Sequence, residues 1–256
     1  MADCLEKFVK MPEMNGDKIL RFLPPKKGGK LYILTRLHML WSPSNGISKN
    51  YHCHKELDKN LKWTGNCIIC EKYNEFWKFA DAQKVPYHYQ GTFEALMGDL
   101  RKIKPNERAY YNVIDRENDT KPLVFSCGFS THAKVIKAII GEGEWNPPLG
   151  KIFNVKTGRD FVLKKRMVNA DNRQFPTYDK SDFLEPSKAG TAKQIKFWSE
   201  NLNDLSEYRV LKPEQELRQA MIDMFGDFDT PEKNKFIKQK EVIRDINAPF
   251  QASFYA

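Results

Sequence analysis

The pair Cys67-Ile68-Ile69-Cys70 constrains this chain more than any other feature, because two intervening residues let both sulfurs turn toward one centre. Upstream, Trp41 to Cys70 reads as loop, holding Pro43, Asn45-Gly46, the run His52-Cys53-His54, and Gly65-Asn66. Roughly thirty residues without elements of their own are unusual in a compact domain unless something ties them down. A metal ion would do so. Zn²⁺ is usually held by four Cys or His ligands in a tetrahedron, so Cys53, Cys67 and Cys70 need one more, from His38, His52 or His54. His52 and His54 flank Cys53 and start from adjoining positions, whereas His38 ends an expected strand and approaches from a separate direction. His38 is preferred, then His54. Four protein ligands leave no open coordination position, so one structural zinc is expected.

Catalytic readings fit less well. His54-Lys55-Glu56 with Cys67-x-x-Cys70 imitates the zinc deaminases, but 13 residues from His54 to Cys67 are short for the strand and helix that fold needs, and Asn66 replaces the expected Pro. Gly28-Gly29-Lys30 is followed by Leu31, which rules out a phosphate loop. No carboxylate cluster suggests two-metal cleavage, and no helix beside the Cys pair opens with residues that read duplex bases. A non-enzymatic protein is expected.

The 256 residues are 41% apolar and 29% charged, an ordinary globular balance. No apolar run approaches the ~20 residues of a membrane span, and Asp3 and Glu6 stand where a signal peptide would be basic. A soluble, intracellular protein without membrane partners is expected. Short strands are predicted at Lys18 to Leu23, Leu31 to Leu40, Ala109 to Ile114 and Leu123 to Phe129, and a hairpin from Lys151–Lys156 and Phe161–Val168. Helices are predicted at Glu71 to Gln83, Thr131 to Ile140 with Ser130 or Thr131 as N-cap, Ala192 to Leu205, and Pro213 to Phe225. The fold class expected is mainly β with α: an oligonucleotide-binding (OB-type) β-barrel core with an inserted zinc-binding subdomain and flanking helices. The divisions expected are an N-terminal segment 1–17, the core 18–225 with the zinc-binding insertion at 36–100, and a C-terminal tail 226–256.

A net charge of +9 favours an anionic partner, with nucleic acid the first candidate. Tyr73 to Tyr111 carries nine aromatics, about twice the chain's average density, interleaved with Lys78, Lys84, Arg101, Lys102, Lys104 and Arg108. Single strands are held by this pairing of groups: cations follow phosphates and flat rings stack on bases. Phe76, Phe79 and Phe93 read as core, while Tyr87, Tyr89, Tyr110 and Tyr111 are equally consistent with surface stacking or packing. In the strand from Phe161, Lys164 and Arg166 share one face by alternation, and Phe161, Leu163 and Met167 share the other.

These residues, taken in order, resemble the single-stranded DNA-binding, or helix-destabilising, proteins of the T-even bacteriophages. The resemblance runs through Leu20-Arg21-Phe22-Leu23-Pro24, a strand ending in His38, Cys53, Cys67-x-x-Cys70, Arg101-Lys102-Ile103-Lys104 and Tyr110-Tyr111-Asn112-Val113-Ile114. It continues through Val124-Phe125, Asp160-Phe161-Val162-Leu163-Lys164 and Tyr178-Asp179-Lys180-Ser181-Asp182-Phe183-Leu184. It implies zinc on His38, Cys53, Cys67 and Cys70. It also implies a DNA cleft lined by Arg21, Arg101, Lys102, Lys104, Arg108, Tyr110, Tyr111, Phe161 and Tyr178. Such proteins coat single strands during phage DNA replication, recombination and repair in the cytoplasm of the infected bacterial host, and contact the replication and recombination machinery. A monomer that assembles along single-stranded DNA is therefore expected. The chain departs from that family at Met1-Ala2-Asp3-Cys4-Leu5-Glu6, where a basic arm would stand. It departs again at 226–256, where five acidic and five basic residues replace an acidic tail.

Overall fold

The computed structural model describes residues 6–42, 46–82, 103–170 and 173–225. The chain divides into two compact units, one of residues 1–34 and 107–209, the other of 35–106 and 210–256. The last described helix therefore groups with the Cys-bearing segment.

In the first unit an antiparallel sheet is ordered β11 (Asp182–Pro186), β8 (Arg159–Lys164), β1 (Asp17–Phe22), β6 (Asn106–Asp115), with β7 (Asn118–Gly128) also paired to β6. The first residues of β2 (Tyr32–Ser42) belong to this unit too. Strand alternation turns Leu20 and Phe22 to one side of β1. Registers Leu20↔Phe161, Phe183↔Phe161, Phe22↔Val113 and Tyr111↔Phe125 then bring large side chains together. Phe22 is the hub: its ring lies 5.0–6.1 Å from those of Tyr111, Phe125, Phe153, Phe161 and Phe183. Val135 and Ala138 of α2 (Phe129–Ile140) close this core.

The architecture is mainly β with few helices, and the sheet is open. Among the described residues no strand pairing closes it into a barrel.

Several local expectations are corrected. Residues 151–156 form turns rather than a strand, because the Asn154 Oδ1 accepts from the main-chain N–H groups of Lys156 and Thr157 and curls the segment. The strand expected from Phe161 to Val168 breaks at Lys165. Its first half is β8, while β9 (Arg166–Ala170) forms a separate hairpin with β10 (Arg173–Thr177). Helix α2 starts at Phe129 with Gly128 as N-cap and no side-chain cap, so neither Ser130 nor Thr131 caps it. The helix from Ala192 stops at Glu200, giving α3 (Ala192–Glu200), with a 3₁₀ turn at Leu205–Tyr208. Asn203 is drawn away by Asn112, whose Oδ1 accepts the Asn203 main-chain N–H at 2.9 Å.

The second unit contains most of β2 with β3 (Ile47–His52), the hairpin β4 (Glu56–Leu57) and β5 (Trp63–Thr64), α1 (Ile68–Ala82) and α4 (Glu214–Phe225). The supposed loop thus has short strands of its own. Asp58 Oδ1 builds the β4–β5 turn by accepting from the N–H groups of Asn60 and Lys62, each at 2.8 Å. Leu40, Ile69, Ile103, Leu217 and Met221 pack around the cysteines as one core. No described helix is long and apolar enough to cross a membrane.

Candidate metal centre and the expected DNA-binding residues

Four segments present one ligand each to a single point. His38 faces inward from β2, opposite Tyr51 on β3. Cys53 follows β3, held by its N–H donating to the Arg36 carbonyl at 2.8 Å. Cys67 immediately precedes α1 and accepts the Glu71 N–H on its carbonyl, while Cys70 lies in the first helical turn. All four are buried, and their ligand atoms lie within 4.8 Å of one another.

The spacing identifies the geometry. Tetrahedral zinc with bonds of ~2.3 Å to sulfur and ~2.05 Å to nitrogen requires N···S separations of about 3.6 Å and S···S separations of about 3.8 Å. His38 Nε2 lies 3.6 Å from the Cys67 Sγ and 3.5 Å from that of Cys70, and the Cys53 and Cys70 sulfurs are 3.5 Å apart. His38 Nδ1–H donates to the Ile103 carbonyl at 2.7 Å, which fixes the tautomer and leaves Nε2 to ligate. One thiol is primed for it: hydrogen bonds from Cys53 and Cys70 hold the Cys67 pKa well below the usual thiol range, while the same contacts push that of Cys70 up. The four residues fit a metal ion of the zinc type, with no fifth His, Cys, Asp or Glu in the cluster among the described residues.

The other histidines point elsewhere. His52 Nδ1 lies 3.2 Å from the Thr35 hydroxyl, and His54 Nε2–H donates to the Lys212 carbonyl at 2.7 Å. The His54-x-Glu56 and Cys67-x-x-Cys70 pieces of a deaminase site are therefore not assembled. Cys127 belongs to the first unit's core, where burial pushes its pKa up to about 12 and keeps it an unreactive thiol.

The residues expected to contact DNA scatter. Arg101 and Lys102 lie outside the described residues, as do Tyr87 and Tyr89. Four others are interior, a correction to the expected cleft. Tyr111 and Phe161 are fully buried beside Phe22 because the core consumes these rings. Tyr110 is covered by Tyr208, 5.9 Å away in stacked geometry, and by Phe8. Arg21 is fully buried: its guanidinium donates to Asp160, to the Ser187 carbonyl at 2.6 Å and to the Asn154 carbonyl at 3.0 Å. Those partners consume the charge that was expected to meet phosphate.

The remainder are accessible. Lys104 and Arg108 are exposed, and Lys164 and Tyr178 are half-buried. Arg166 is half-buried and paired with Asp17 at 2.7 Å, on a different strand from Lys164. Burial raises the Tyr178 pKa, and the Arg108 charge partly offsets it. Two features had no sequence signal, the Ile103 carbonyl behind His38 and the burial of Arg21 by segments more than a hundred residues away.

No protein-family model matches the chain, and no curated protein matches it.

Proposed function

We propose that this chain is a non-enzymatic, sequence-independent single-stranded DNA-binding protein, related to the helix-destabilising proteins of T-even phages and stabilised by one zinc ion on His38, Cys53, Cys67 and Cys70. The observation that carries the reading is the convergence of those four residues. The resemblance assigns them as a ligand set across 33 residues of sequence, and they stand at tetrahedral spacing. The net charge of +9, the exposed Arg108 and the half-buried Tyr178 ring, which feels the Arg108 charge, support an anionic, base-bearing partner. In this reading the open antiparallel sheet of the first unit is the OB-type element. Single strands are coated in the cytoplasm of the infected bacterial host during replication, recombination and repair, with the enzymes of those processes as further partners.

Arg108 and Lys104 would follow the phosphates, and Tyr178 would offer a ring to a base. Duplex melts because only the single strand is bound. The test is fluorescence anisotropy of labelled oligo-dT and of a duplex of equal length over a salt series. The reading requires tighter binding of the single strand and a steep loss of affinity with salt. Equal or tighter binding of duplex overturns it.

A further inference from the structure

A groove in the first unit has no part in the nucleic-acid reading. It is a cavity of about 390 Å³ between the turn after β1 and helix α3. Leu23, Val155, Ile195 and Leu202 line it above Trp198, and Lys26 and Lys27 stand at its edge. This volume lies within the range of ligand pockets.

The groove is built in advance. Pro24 and Pro25 fix the dihedrals of the entering chain, and the Gly29 N–H closes the turn on the Lys26 carbonyl at 2.8 Å. Trp198 is immobilised: its Nε1–H donates to the Asp119 carbonyl at 3.1 Å, and its ring presses so closely on Gly190 that a Cβ there would stand 2.7 Å from it. Helix α3 is held by a capping box between Thr191 and Gln194, and Gln194 also donates to Asp119 at 3.0 Å.

The lining decides what fits. A nucleobase needs a bare aromatic face or hydrogen-bonding groups. Trp198 is 1% exposed, and the lining hydroxyl, Ser199, already donates to the Lys196 carbonyl at 2.7 Å. The walls are aliphatic, which suits a bulky apolar side chain. Lys26 and Lys27 are exposed and form no ion pair among the described residues, so two cations flank an apolar slot. Such a surface complements acidic groups on either side of an apolar anchor.

We infer that the groove between the Leu23–Lys27 turn and α3 is a docking site for an acidic segment of a partner protein that inserts one bulky apolar side chain. The site does not depend on the nucleic-acid reading. The probe is a fluorescein-labelled hexapeptide with two aspartates on each side of a central Leu-Phe, titrated with the full-length, zinc-loaded chain. Saturable binding is expected, lost when Leu-Phe is replaced by Ser-Ser. Ser199→Trp fills the groove from an exposed helix position, and Lys26→Glu with Lys27→Glu reverses the edge charge. Each should weaken the peptide by at least roughly tenfold with unchanged thermal melting. Absence of binding by the wild-type chain overturns the inference, as does wild-type affinity in both variants. So does a loss of oligo-dT affinity, instead of peptide affinity, in Ser199→Trp.

Discussion

The ring of His38 is held from behind by the main-chain carbonyl of Ile103, 2.7 Å from Nδ1, so its Nε2 faces the sulfurs of the three cysteines. Orientation by a backbone group makes the ligand set insensitive to side-chain changes around it. The set itself is the vulnerable element.

The purified chain should carry one zinc by native mass spectrometry. His38→Gln and Cys67→Ser should lose it, and His54→Gln should keep it. With free zinc about a thousandfold above its dissociation constant, the ion contributes about 4 kcal/mol, so a chelator should lower the melting temperature by many degrees. A metal-free wild-type chain of equal stability would contradict the centre.

Tyr111 is a structural residue. Its hydroxyl shares a hydrogen bond with His132 Nδ1 at 2.6 Å inside the core. Tyr111→Phe should cost about 1–3 kcal/mol by leaving that nitrogen unpaired, and Tyr111→Ala about 3–5 kcal/mol. Denaturant melts measure both. Loss of DNA affinity with unchanged stability would restore Tyr111 to the binding surface.

The same histidine makes stability depend on pH. Burial lowers the His132 pKa, with Glu107 partly opposing. As pH falls below about 6.5 the unfolded chain takes up the proton first, so stability present above that value declines toward acid. Thermal melts from pH 8 to about pH 5 should show the decline, and His132→Gln should flatten it. An identical slope in the variant would assign the effect to other groups.

Exposed cations should act through salt. Arg108→Gln and Lys104→Gln should each reduce the slope of log affinity against log salt for oligo-dT by about 0.7. Tyr178→Ala should weaken binding by about 1–3 kcal/mol with little change in that slope. Unaltered slopes in both charge variants would place the phosphates elsewhere.

Arg21 should matter to folding alone. Arg21→Met leaves Asp160 its second partner, Arg116, at 2.8 Å, but strips the donors from the Ser187 and Asn154 carbonyls. A loss of about 3–5 kcal/mol is expected in denaturant melts. The folded fraction should bind oligo-dT as the wild type does.

The metal ligands were legible because thiols at that spacing have few other uses, and because His38 lies in a strand whose alternation turns it inward. Strand β1 was legible for the same reason, as a short apolar run stopped by Pro24-Pro25. The stacking residues were not. Tyr110, Tyr111 and Phe161 neighbour polar or basic residues in sequence, yet long-range pairing of β1, β6, β7 and β8 buries Tyr111 and Phe161 in one core, and Tyr110 in another beside Tyr208. Arg21 misled in the same way, since its carboxylate partner Asp160 is 139 positions distant and no local pattern couples them.

Helix α4 brings Leu217, Met221 and Phe225 to the core that surrounds Cys53 and Cys67. The ligands are complete at residue 70, but this covering leaves the ribosome only with residue 225, about 155 residues later. At ordinary elongation speeds that interval is roughly 8–30 s. A nascent chain can therefore present all four ligands long before it can bury the apolar side of the Cys-bearing segment. Until then the half-made unit exposes Ile69 and Leu40 to chaperones and proteases, so cellular yield should track how quickly the ribosome reaches α4.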